Sequence, residues 1–151
     1  MSIKDKLLSI LSPNKKEKTK TVRKHIGDIG EDIACEYLCN QGYRIVARNV
    51  QISHRELDIV AEDDFTTVIA EVKTLSQTKE YALSHGHRAS EQIDREKAEN
   101  IISAAQIYRQ KSYDGKDLRI DVIEVYLGGA SPEIVHTENA INRLMLGRRR
   151  R

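Results

Sequence analysis

Four side chains that could do chemistry together sit on two short stretches: Glu56 and Asp58 in Glu56-Leu57-Asp58-Ile59-Val60-Ala61, and Glu71 and Lys73 in Glu71-Val72-Lys73. Both stretches alternate with the period of a strand, which predicts Glu56, Asp58 and Val60 on one face of the first and Leu57, Ile59 and Ala61 on the other. In the second, Ile69, Glu71 and Lys73 share a face, with Val68, Ala70 and Val72 opposite. A hairpin turning at Asp64 and Phe65 sets Asp58 opposite Glu71 and Glu56 opposite Lys73, although residues 63–66 do not spell a strong two-residue turn. Directly opposed residues have Cβ atoms about 5 Å apart. Two ionised carboxylates there repel by roughly 3 kcal/mol at an effective dielectric of about 20. A shared proton, a nearby lysine or a divalent cation could offset that, and paired carboxylates with room for water describe a Mg²⁺ site. The plainer alternative is a solvated polar face, which many antiparallel sheets carry.

Positioning such a pair takes a sheet and something to cover it. Residues 27–41 repeat apolar side chains at helical spacing (Ile29, Ile33, Ala34, Tyr37, Leu38), with Asp28 and Glu31 near the N-terminal end and Gly42 as the stop. Strands are predicted at 43–49, 56–62 and 67–74, forming a meander, and then a long polar loop at 75–90. An amphipathic helix at 91–110 buries Ile93, Ala98, Ile101, Ile102, Ala105 and Tyr108. A strand at 118–127, a turn at 128–132 and a short strand at 133–137 complete the order α-β-β-β-α-β-β. The economical architecture is an α/β mixed sheet with a helix on each flank.

Composition bounds the rest. A chain of 151 residues suits one domain with one modest core. With 39% hydrophobic residues, 5% aromatic and no Trp, that core relies on Ile, Val, Leu and Ala. No run is long and apolar enough to span a bilayer, and residues 1–11 are broken by Lys4, Asp5 and Lys6, unlike a secretory signal. The expected location is the cytoplasm, with Cys35 and Cys39 as reduced thiols and no membrane partner. The net charge of +2 hides a division. Residues 1–24 carry eight Lys/Arg against Asp5 and Glu17, net +6, and residues 148–151 add +4, so residues 25–147 carry −8. The expected organisation is a flexible basic extension at 1–24, a body at 25–140 and a basic tail at 141–151. Basic tails on an acidic body suit non-specific contact with nucleic acid, or simply keep the ends solvated. The apolar stripe Ile3, Leu7, Leu8 and Leu11 makes a helix too short to stand alone.

The run Gly27-Asp28-Ile29-Gly30-Glu31, then Ala34, Tyr37-Leu38, Gly42-Tyr43 and Asn49, then residues 56–61 and the triplet at 71–73, resembles the YraN-like family of small uncharacterised bacterial proteins. That family resembles a branch of the PD-(D/E)XK superfamily, which includes restriction enzymes and Holliday junction resolvases. The resemblance implies a restriction-endonuclease-like (tRNA-endonuclease-like) fold and a Mg²⁺- or Mn²⁺-dependent endonuclease acting on nucleic acid, DNA foremost. It implies Asp58 and Glu71 as metal ligands, Lys73 as the group that positions the attacking water, and Glu31 as an acidic residue supporting the metal from the first helix. Glu56 would assist the site or pair with Lys73. Superfamily relatives that cut two strands are often dimers, which leaves a homodimer open. Arg55, where the family usually has Gly, and Leu75, where it has a basic residue, depart from the pattern without removing a ligand.

Other residues point less sharply. His85 and His87 could touch a metal or phosphate, or be solvated; Cys35 and Cys39 with His25 are too few for zinc. Arg119 and Asp121 suggest a structural ion pair, and Arg95 and Lys97 could meet a phosphate backbone or form a wet helix face. Two rival functions stay open: a non-catalytic nucleic-acid-binding or partner-binding module, and a phosphodiesterase acting on small substrates.

Overall fold

The computed structural model describes residues 18–142; the apolar stripe within residues 3–11 and the Arg tail at 148–151 lie outside them. Helix α1 (Lys18–Asn40) is followed by strands β1 (Arg44–Ile52), β2 (Arg55–Glu62) and β3 (Thr66–Leu75). A short helix α2 (Lys79–Ser84) and a 3₁₀ turn (Ala89–Gln92) precede helix α3 (Arg95–Ser112), and β4 (Asp117–Tyr126) and β5 (Glu133–Thr137) end the order. The strands lie in one sheet in chain order. Neighbours are antiparallel except β3 and β4, which run parallel because α3 returns the chain to the starting edge of β3. This is the α/β mixed sheet flanked by helices that the patterning predicts.

Each face of the sheet buries its own cluster. On one, Leu57, Val60, Ile69 and Val122 pack against Ala98, Ile101 and Ala105 of α3; on the other, Ile59, Ala61, Ala70 and Val125 pack against Ile29, Ile33, Ala34 and Leu38 of α1. Small residues decide how closely α1 sits. A Cβ on Gly30 would collide with the Thr74 side chain, so only glycine lets this helix lie against β3. Gly42, at φ +93°, takes the left-handed turn that frees the chain to become β1. Asp94 caps α3, its Oδ1 accepting from Lys97 N–H at 2.8 Å, and this fixes the helix start at Arg95 rather than at residue 91.

Three boundaries differ from expectation. Helix α1 already includes Lys18, so residues 18–24 of the expected flexible extension are helical; this polar segment shows no apolar period. The loop predicted at 75–90 contains α2 and enters the 3₁₀ turn. Ile141, placed in the basic tail, is 2% exposed and donates its N–H to Ile120 O at 3.3 Å, so the body extends to it. No helix among the described residues is long and apolar enough to cross a membrane.

One facing prediction fails. Leu57 packs with the α3 cluster and Ile59 with the α1 cluster, instead of sharing a face. The β1–β2 pairing steps from Arg48↔Ile59 to Val50↔Leu57 without pairing Asn49 and Asp58, and Asn49 takes φ +50°. This local kink breaks the two-residue alternation at Asp58.

Candidate metal and phosphate site

The β2–β3 ladder runs in the predicted register from Glu62↔Thr67 to Ile59↔Ala70 and stops one step short of Asp58. Beyond that step β3 stays paired with β4, through Glu71↔Val122 and Lys73↔Glu124, while β2 leaves it. The departure strips Val72 N–H of a cross-strand acceptor, and Asp58 Oδ2 accepts from it at 2.9 Å. Asp58 is thus anchored in the fork between the two strands. Glu71, 3% exposed, stands at the same fork. Its Oε1 lies 3.2 Å from Lys73 Nζ and 3.1 Å from Lys97 Nζ, the second ammonium arriving from the first turn of α3.

Burial, then the negative charge of Glu71, pushes the Asp58 carboxyl up to about 7. The Val72 N–H and Lys97 pull the other way, and Glu31 adds to the rise. Glu31 is itself raised, chiefly by burial, against the pull of Arg48. It reaches the site because Gly30 brings α1 onto β3, and it is held by Arg48 NH2 at 3.5 Å. With its amide nitrogen turned toward the carboxylates, Asn49 donates to Glu31 Oε2 and Glu56 Oε1, both at 3.2 Å. Glu56 does not pair with Lys73. The strands have parted by then, and the exposed Glu56 takes a hydrogen bond from Gln51 across β1.

Asp58, Glu71, Lys73 and Glu31 all line one cleft of about 660 Å³, together with Arg23 and Lys97. Hard carboxylate oxygens suit Mg²⁺ or Mn²⁺. Among the described residues no three His, Cys, Asp or Glu side chains form a group able to hold a metal unaided. Asp58 and Glu71 alone would give a metal only a partial shell, one that water and a substrate phosphate would have to complete. The site's carboxylate oxygens fit such an ion, and its three carboxylates, Glu31, Asp58 and Glu71, are matched in number by Arg23, Lys73 and Lys97.

Sequence reasoning missed Arg23, which falls in the segment read as a tail, with no local signal attaching it to the cleft. Lys97 is legible in the sequence as a cation that could meet a phosphate backbone; its contact with Glu71, which depends on the Asp94 cap and on how α3 packs, is not. His87 lines the cleft, whereas His85 stacks on Tyr81. Arg119 and Asp121 form the expected structural pair at 2.8 Å, joined by His136 and Asn139 N–H. Burial would raise Asp121, and these three partners outweigh it and hold the carboxyl low. Buried Glu124 accepts from Ser90 N–H and Tyr126 O–H, both at 3.0 Å, and ties the 3₁₀ turn to β4.

The sequence profile of the uncharacterised protein family UPF0102 matches residues 30–125. A UPF0102 protein of Persephonella marina is 40% identical over 117 residues, 77% of this chain and 92% of the relative. One from Alkaliphilus oremlandii is 39% identical over 122 residues, 79% of this chain and 99% of the relative. A third, from Campylobacter jejuni, is 35% identical over 97 residues, 64% and 80% of the two chains.

Proposed function

Since this chain belongs to the uncharacterised protein family UPF0102, its reaction has to be read from its own site, and we propose a divalent-metal-dependent nuclease on a restriction-endonuclease-like fold, hydrolysing phosphodiester bonds of nucleic acid, DNA foremost, in the cytoplasm. The observation that carries this reading is the pairing of Asp58 with Glu71 at a strand fork. Burial and their mutual charge drive Asp58 up to about 7, a cost that a cation between them would remove. The element order agrees with the fold that the resemblance implies.

Mg²⁺ or Mn²⁺ bound there would polarise a phosphodiester and acidify a water. The chain's own groups do the rest. Asp58 is held in place by Val72 N–H. Lys73, at the side of Glu71, stands where an ammonium can orient a water or offset charge developing on phosphate. Arg23 and Lys97 supply positive charge for flanking phosphates. Glu31, fixed by Arg48 and Asn49, supports the acidic side of the cleft. Products with 5′-phosphate follow by superfamily analogy alone.

One observation favours a second reading, a non-catalytic nucleic-acid-binding module. Glu71 Oε1 already meets two ammoniums, which compete with a metal for its charge. The test is incubation of the purified protein with labelled single-stranded, duplex, flap and four-way-junction DNA in Mn²⁺ or Mg²⁺, beside Asp58→Ala and Glu71→Ala. Cleavage by the wild type that both substitutions abolish is the expected result. Equal binding by all three proteins with no cleavage would establish the binding module instead.

A further inference from the structure

We propose that helix α2 presents a stacking platform for an unpaired nucleobase beside the cleft, so that the substrate strand is single-stranded or locally unpaired where it enters. The inference rests on the nucleic-acid reading above for the class of its ligand, and adds which form of nucleic acid the protein takes.

The platform is the Tyr81–His85 pair. The two rings stack with centroids 4.0 Å apart and planes 20° from parallel. Tyr81 is 47% exposed and His85 is exposed as well, so aromatic surface faces solvent instead of filling the core. Hydrogen bonds fix the pair in place. Thr78 Oγ1 accepts from Tyr81 N–H at 3.1 Å, and His85 Nδ1 lies 3.0 Å from Ser84 Oγ and 2.9 Å from Tyr81 O.

The helix beneath them is anchored to the body by a buried side chain and by the backbone that precedes it. Ala82 is fully buried, and its carbonyl accepts from His87 N–H at 2.8 Å. On the N-terminal side, Gly128 N–H donates to Gln77 O at 3.0 Å, tying the start of the segment to the end of β4. A pre-stacked, anchored pair gives up little freedom on receiving a third ring.

Its location supplies the ligand. Gln77 and His87, which bracket α2 in the chain, both line the cleft that holds Lys73, Lys97 and Arg23. A chain whose phosphates lie on those cations would pass close to α2, which these two lining residues flank. Aromatic surface beside a cationic groove is how proteins hold single strands, because every base offers a π-face and a duplex hides that face in its own stack. A duplex would offer α2 only base edges and sugars.

The test separates binding from hydrolysis. Full-length protein in EDTA is titrated into a single-stranded oligonucleotide carrying 2-aminopurine and into the same strand annealed to its complement, for the wild type, Tyr81→Leu and Tyr81→Phe. Tighter binding of the single strand, quenching of 2-aminopurine on binding, a roughly tenfold or greater loss in Tyr81→Leu and recovery in Tyr81→Phe are expected. Duplex binding should change little among the three. A wild type that prefers the duplex, binds neither strand, or binds the single strand as well after Tyr81→Leu overturns the platform. Cleavage in Mn²⁺ with an Asp58→Asn control is scored separately. A platform that behaves as expected without any cleavage would leave it standing and remove the nuclease reading.

Discussion

Asp58 is a residue whose environment opposes its charge, and that has a measurable sign. The folded protein keeps its proton up to about 7, whereas the free side chain releases it near 3.8. Folding therefore takes up a proton between those values, and the stability Asp58 contributes is fullest below 3.8 and is lost as pH rises to 7. The loss is on the order of a few kcal/mol. Asp58→Asn keeps an oxygen for Val72 N–H and never ionises. It should melt about 5–10 °C above the wild type at pH 8 and level with it near pH 4. Mg²⁺ or Mn²⁺ should raise the melting temperature of the wild type at pH 8 and leave Asp58→Asn where it was. Thermal scans at the two pH values check this; an Asn variant less stable than the wild type at pH 8 would show that the carboxylate is not a burden. The hairpin register, which holds as far as Ile59↔Ala70, made the nearness of Asp58 and Glu71 legible, and the family resemblance singled them out as a metal pair over a solvated face. The details were not. Glu56 was predicted opposite Lys73 by continuing the ladder, and the ladder ends first, for a reason that lies in the kink shared by Asn49 and Asp58.

Elements position those residues, and Gly30 is the point where two of them meet. Because any Cβ there runs into Thr74, Gly30→Ala must push α1 away from β3 or force Thr74 off its rotamer. Overpacking of this kind costs about 1–3 kcal/mol. It should also move Glu31, one residue on, away from the cleft, so the variant should lose metal affinity even at temperatures where it stays folded. Circular dichroism melts and Mn²⁺ titrations of Gly30→Ala against the wild type check both parts; unchanged melting would mean that the helix does not lie as close as described. The two long helices were legible from periodicity, because each buries one face and must repeat to do so, and the strands from short alternating or continuous apolar runs bounded by turns. Residues 18–24 of α1 and the whole of α2 were not. Thr19, Lys20 and Thr21 are exposed, and α2 buries only Ala82, so neither segment writes a stripe into the sequence.

At the scale of the whole molecule, charge sets how a polyanion would approach. Residues 25–147 carry −8, and most of that body should repel phosphates. The extended α1 counters this with Lys20, Arg23 and Lys24, all exposed, and Arg23 lies within the cleft itself. These cations stand on the helix that also delivers Glu31, so a polyanion held by them would meet the cleft through one element. Each phosphate neutralised on duplex DNA contributes about −0.9 to the slope of log K against log salt, and about −0.7 on a single strand. Replacing Lys20, Arg23 and Lys24 together by Ala should therefore weaken binding and flatten that slope by about two. Replacing residues 148–151 instead measures what the Arg tail adds on its own. Titrations across a salt series decide between the two. A slope set wholly by the Arg tail would show that the cations of α1 do not meet the polyanion, and would count against Asp58 and Glu71 meeting its phosphates.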